Sequence, residues 1–309
     1  MADEAPTGDT VSFPGAQRPA RTYRLDSNGV GIAVSEWGAP GDPVLALVHG
    51  GFDFSGTFDI FAPMLAARGF RVVAWDQRGH GDSDHAHLYG WDGDLRDALT
   101  VLDHVVSEPI PVVGHSKGGS LVLQIADAQP WRFSHIVNLD GIPCKRAAPD
   151  IAEHDRTKLV AKDIEDWLEH RRRTAFASRK PDTLDGLAQR RRRLNPRLSF
   201  EWLRYLVTRG GRLDEDGWRW KLDPSMRFGG FGPWRPEWTQ MRLPGIGVPF
   251  LGVLVSESEE MGWGTKAEDL VGWAPPMGRI ELVEGVGHFV HIEQPDLVVS
   301  MVLDLLGAA

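Results

Sequence analysis

The chain has 309 residues, 42% hydrophobic and 25% charged, which gives room for a large apolar core with no need of a disulfide or metal staple. Its net charge of -9 argues against general nucleic-acid binding, and no run approaches the roughly 18 apolar residues of a membrane span. The single cysteine, Cys144, excludes an internal disulfide.

The opening Met1-Ala2-Asp3-Glu4-Ala5-Pro6 lacks the basic and apolar segments of a signal peptide, so a cytoplasmic location is expected. Residues 1–20 are polar and aperiodic and read as a flexible N-terminal tail. Thr22–Leu25 and Val30–Trp37 flank Asp26-Ser27-Asn28-Gly29, a hairpin signal. Pro43–Val48 is a continuous apolar run, the pattern of a strand buried on both faces, and it ends at His49-Gly50-Gly51-Phe52-Asp53. Ile60–Ala67 reads as a helix, and Phe70–Trp75 as a second buried strand ending in Asp76-Gln77-Arg78-Gly79-His80-Gly81-Asp82-Ser83. Trp91–Val106 has helical spacing. A strand from Ile110 and a helix over Leu121–Ala128 follow, then a strand over Phe133–Leu139 ending in Asp140-Gly141. Alternating strands and helices mean crossover connections, hence a mostly parallel, doubly wound α/β sheet whose unusual loops share the carboxyl edge.

The alternation stops near residue 142. Arg156–Ala177, Asp182–Leu194 and Phe200–Thr208 read as helices, Gly217–Trp238 is rich in Trp, Gly and Pro, and no apolar strand is evident. The pattern resumes with a strand at Val248–Val255, a helix at Thr265–Gly272, a strand at Gly278–Val283 and a helix at Gln294–Leu306. Residues 21–144 and 243–309 are therefore expected to form the core, and 145–242 an inserted helical cap. Charge follows the same division: residues 145–245 hold 23 Lys and Arg against 15 Asp and Glu, while the whole chain is acidic.

The chemistry centres on Gly114-His115-Ser116-Lys117-Gly118, set between a strand and a helix. A serine on that tight turn is pushed out at a helix N-terminus, where backbone N–H groups favour developing negative charge, so Ser116 is the expected nucleophile. Its base should be a histidine on the same edge. Of 11 histidines, His288 fits best, in Glu284-Gly285-Val286-Gly287-His288-Phe289 after the last strand; His291 reads as a satisfied surface histidine. No His/Cys cluster has metal-ligand spacing and no Gly-x-Gly-x-x-Gly follows a first strand, so no metal and no cofactor is expected.

These features together resemble the α/β-hydrolase superfamily with a helical cap, over about residues 22–142 and 246–306. Asp76–Ser83 and Phe289-Val290-His291-Ile292-Glu293-Gln294-Pro295 are similar to segments of that superfamily. The resemblance implies an oxyanion hole made by the backbone N–H of Lys117 and of Gly51 or Phe52; lysine is an unusual residue after the nucleophile, and its side chain reads as solvated, with an anion-facing role as the alternative. The resemblance also implies a triad acid after the strand at 248–255, where Glu259 stands, or after the strand ending at Leu139, where Asp140 stands; Glu257 and Glu260 are further alternatives. Serine at position 116 argues against haloalkane dehalogenases and epoxide hydrolases, which carry aspartate there. The expected activity is hydrolysis of a carboxylic ester or lactone through an acyl-enzyme. Carbon–carbon bond hydrolysis, thioesterase or cofactor-free perhydrolase chemistry are alternatives, as is a non-catalytic small-molecule receptor. Six of the 12 tryptophans lie in residues 145–242, so the pocket is expected to be apolar and aromatic, with Phe231 and Trp234 touching a hydrophobic or aromatic substrate. Arg190-Arg191-Arg192-Arg193 reads as a solvated helix face, and no membrane or nucleic-acid partner is expected.

Overall fold

The computed structural model describes residues 11–142, 153–226, 236–260, 262, 264–266 and 274–308. An eight-stranded sheet forms its centre, built from β1 (Arg21–Asp26), β2 (Gly31–Trp37), β3 (Val44–Val48), β4 (Arg71–Trp75), β5 (Ile110–His115), β6 (Phe133–Leu139), β9 (Phe250–Val255) and β10 (Gly278–Val283), in the order β1-β2-β4-β3-β5-β6-β9-β10. The first two strands are the expected hairpin. Asn28 and Gly29 both take positive φ, 50° and 82°, as a two-residue turn of the required twist demands. From β4 through β10 neighbouring strands run parallel. Strand order reverses at β3, with β4 on one side and β5 on the other, which opens a crevice at their carboxyl ends.

Side-chain alternation buries both faces. Leu45 and Leu47 of β3 point to the side covered by α1 (Phe61–Ala66) and α9 (Pro295–Leu306), packing with Phe61, Leu65, Val298 and Val302. Ala46 and Val48 point to the other side, against α2 (Trp91–Val105) and α3 (Lys117–Ala128), with Val101, Leu102, Leu121 and Ile125. Such continuous apolar runs need a helix layer on each side, because neither face tolerates water.

Between β6 and β9 the chain forms α4 (Glu153–Thr174), α5 (Leu184–Leu194), α6 (Phe200–Gly210) and α7 (Pro236–Arg242). Thr183 caps α5 by accepting the N–H of Gly186 at 3.0 Å, and Ser199 caps α6 by accepting that of Trp202 at 3.1 Å. Contrary to expectation, the segment also contains two strands, β7 (Gly211–Asp214) and β8 (Gly217–Trp220), paired antiparallel. They are four residues each and interleave charges with apolar residues, so they lack a strand's apolar run. Leu187, Trp202, Leu203 and Leu206 pack with Phe54, Ile60 and Phe289, which belong to loops at the carboxyl edge of the large sheet. Ion pairs reinforce this contact: Arg191 with Asp53 at 2.8 Å, Arg209 with Asp59 at 2.5 Å and Lys221 with Asp82 at 2.6 Å. The remaining helix, α8 (Val290–Glu293), leads into α9. Among the described residues no helix is long and apolar enough to cross a membrane. The expected helix at 265–272 lies mostly outside the described residues.

Candidate active site

Ser116 sits between β5 and α3 with φ 53° and ψ −121°, a conformation costly for a side chain with a Cβ. Packing holds it there. A Cβ on Gly118 would lie 2.2 Å from the carbonyl oxygen of Val48, and one on Gly114 would lie 2.7 Å from that of Gly118, so the turn closes only with glycine on both sides. The Ser116 N–H donates to Leu139 O at 2.8 Å, which ties the turn to the end of β6.

His288 follows β10 and is almost wholly buried. Its Nδ1 lies 2.6 Å from Oδ2 of Asp140, itself fully buried after β6. A carboxylate can only accept, so Nδ1 carries the proton and Nε2 is the basic nitrogen. Nε2 is buried with no hydrogen-bond partner among the described residues, so the Ser116 hydroxyl is not bonded to it here; such contacts commonly tighten only with substrate.

Of the two carboxylates weighed as partners of the ring, Asp140 reaches Nδ1 and Glu259 does not. Oε2 of Glu259 instead accepts the backbone N–H of His288 at 2.7 Å. The reason is the path of the loop after β9. Ser256 and Glu257 donate their N–H groups to Val283 O and Val286 O, at 3.2 and 3.1 Å. The loop therefore runs alongside the His288 main chain, while the end of β6 occupies the ring edge. Glu257 faces Arg197 instead, at 3.6 Å.

Lys117 is the first residue of α3, so helix geometry points its backbone N–H out of the helix N-terminus beside Ser116. Its side chain is not in solvent as expected. The ammonium lies 2.7 Å from Oδ2 of Asp94 and 2.7 Å from Oε1 of Gln77, with both charged side chains buried. Burial pushes the Lys117 pKa down and the Asp94 pKa up, and their mutual attraction opposes both shifts. Arg78 and Asp97 form a bidentate pair nearby, at 2.6 and 2.7 Å. Only the acidic first turn of α2, with Asp92 and Asp94, hinted at this in the sequence, and acidic first turns are common.

Two histidines shape the loop after β3. His49 donates from Nδ1 to Gly50 O at 2.7 Å and accepts the N–H of Gln77 on Nε2 at 2.9 Å. Burial holds its pKa down at about 3, so it stays a neutral acceptor. His80 likewise accepts the N–H of Phe52 at 3.2 Å. Phe52, at φ 62°, thus turns its N–H toward His80.

Two further expectations are corrected. His291 is fully buried, 4.6 Å from the His115 ring and 5.2 Å from that of Phe58, and desolvation lowers its pKa to about 3. Arg191 is not solvated: it bonds Asp53 and, at 3.2 Å, Phe52 O, while Arg190, Arg192 and Arg193 are exposed. Phe231 and Trp234 lie outside the described residues. Among the described residues no group of His, Cys, Asp or Glu is arranged to hold a metal ion.

Comparisons with known proteins agree with this architecture. The chain is 32% identical over 161 residues to a serine hydrolase-like protein of Dictyostelium discoideum, a match covering 50% of this chain but only 41% of that protein. It is 26% identical to the mouse sn-1-specific diacylglycerol lipase ABHD11, covering 82% of this chain and 77% of the relative. Among solved structures, the thioesterase domain from the curacin biosynthetic pathway superposes with a TM-score of 0.76 at 24% identity, covering 92% of this chain and 99% of that domain, a likeness of fold. The family profile Hydrolase_4, described as serine aminopeptidase, S33, matches residues 39–295, and the chain belongs to that family of α/β-hydrolases of serine-hydrolase type.

Proposed function

We propose that the protein hydrolyses a carboxylic ester or lactone without a cofactor, through an acyl-enzyme on Ser116. The single observation that carries this reading is the buried 2.6 Å contact of His288 Nδ1 with Asp140, at the strand end next to the Ser116 turn. Ser116 Oγ attacks the carbonyl carbon as His288 Nε2 takes its proton. Asp140 holds the ring in the required tautomer and stabilises the imidazolium that forms. The N–H groups of Gly51 and Lys117 stabilise the oxyanion at the N-terminus of α3. His288 then gives its proton to the leaving alcohol, and water clears the acyl group by the same route.

The segment between β6 and β9 acts as a cap over this site, supported by its packing on Phe54, Ile60 and Phe289. Part of its basic excess is turned onto the core, where Arg191, Arg209 and Lys221 are engaged with Asp53, Asp59 and Asp82, which favours a neutral over an anionic substrate. A hydrophobic or aromatic ester or lactone is therefore the expected substrate class. The test is a panel of p-nitrophenyl esters, lactones and thioesters, with a fluorophosphonate probe in parallel. Turnover of neutral aromatic esters and probe labelling, both abolished in Ser116→Ala, are expected. Labelling that persists in that variant, or a ligand retained without turnover, would refute the reading.

A further inference from the structure

We infer that Glu259 is a positioning residue for His288, acting on its main chain rather than on its ring. The inference rests on the proposed role of His288 as base and goes beyond it.

The loop carrying His288 has little conformational restraint of its own. Gly285 and Gly287 precede the histidine, and Gly285 takes φ 72°. Side chains from elsewhere hold it. Oε1 of Glu293 accepts the N–H of Gly287 at 3.0 Å, and Oε2 of Glu259 accepts the N–H of His288 at 2.7 Å, so two successive amides each meet a carboxylate. On the other side of the peptide, Nε2–H of His115 donates to His288 O at 2.8 Å. With Asp140 on the ring, every polar group of His288 except Nε2 is engaged.

The absence of a side chain at residue 287 is part of the device. A Cβ there would lie 2.5 Å from Oε2 of Glu259 and 2.7 Å from Oε1 of Glu293, so only glycine lets both carboxylates close on the loop. Gathering Glu257, Glu259 and Glu293 would be repulsive alone. Arg197, from the segment between β6 and β9, offsets it by bonding Glu293 at 2.8 Å, facing Glu257 at 3.6 Å, and donating to Gly285 O at 2.5 Å. Bases in triads act only when held to within a fraction of an ångström, so loosening this clamp reduces turnover without touching the substrate.

The roles of triad acid and main-chain clamp predict opposite responses to a conservative change. An amide oxygen still accepts the N–H, more weakly than a carboxylate, but it carries no charge with which to stabilise an imidazolium. Glu259→Gln should therefore keep kcat within roughly threefold of the parent, while Glu259→Ala should lower kcat roughly tenfold with KM little changed. Glu259→Met, which keeps volume but cannot accept, should match the alanine variant and serves if that one fails to fold. The low-field proton resonance of the His288–Asp140 hydrogen bond gives a readout independent of turnover. It should persist in Glu259→Gln and broaden in the alanine or methionine variant. A loss in Glu259→Gln as deep as that in Asp140→Asn would overturn the inference, since the charge itself would then be required. So would full kcat and an unbroadened resonance without an acceptor at 259. Should wild type neither label nor turn over any ester, the hydrolase reading fails, and the resonance arm still decides the clamp.

Discussion

Asp140→Asn is the most direct test of the arrangement around His288. Asparagine tolerates the φ of 47° found at this position, so the backbone should persist. Two losses are expected. With the carboxylate 2.6 Å from Nδ1, the charge centres lie about 4 Å apart, and at an effective dielectric near 20 the lost attraction is roughly 4 kcal/mol, or about a thousandfold in rate. The amide can also turn its NH2 toward Nδ1, which forces the proton to Nε2 and removes the base from Ser116, an effect of about ten-thousandfold in a protease triad. The variant should thus lose between about 10³ and 10⁴ in kcat, with KM changed only severalfold. The assay is initial-rate hydrolysis of a p-nitrophenyl ester, with the pseudo-first-order rate of fluorophosphonate labelling as a second measure. Labelling and turnover within threefold of wild type, in a variant that unfolds normally in urea, would refute the assignment of Asp140 as the partner of the base.

Lys117→Met should lower the unfolding free energy by about 3 kcal/mol in urea titrations, because Asp94 is left as a buried carboxylate 2% exposed, and adding Asp94→Asn should restore part of the loss. A single-variant loss below about 0.5 kcal/mol would contradict the buried pair. The pH response follows from His49 and His291, which burial holds neutral with pKa values of about 3 against the usual 6.5. Between those values the unfolded chain binds protons that the native state refuses, so their contribution is intact above pH 6.5 and is lost as pH falls; each should remove on the order of 1 kcal/mol between pH 7.5 and 5.5. A denaturation midpoint that rises over that interval in wild type, and does so equally in His49→Gln, would argue against the buried neutral rings.

How much of this was legible from residues alone depends on the range over which each feature is determined. Asn28-Gly29, the apolar run Val44–Val48 and the glycines around Ser116 act within a few residues: they set a turn, a doubly buried strand and a strained elbow by local sterics and patterning. Their alternation with helices then fixed strand polarity, and with it the shared edge that carries Ser116, Asp140 and His288. The short pairing of β7 with β8 escaped because charges interrupt it and its stability comes from tertiary contact. Which carboxylate reaches the His288 ring, whether Lys117 and Arg191 face water or a buried partner, and where Phe52 turns its N–H are different questions. Each joins residues dozens of positions apart, and the answer depends on ångström-scale loop paths that periodicity does not encode. Glu259 and Asp140 are equally good acids as letters in a chain; only the packing of the loop after β9 along the His288 main chain separates the one that meets the peptide from the one that meets the ring.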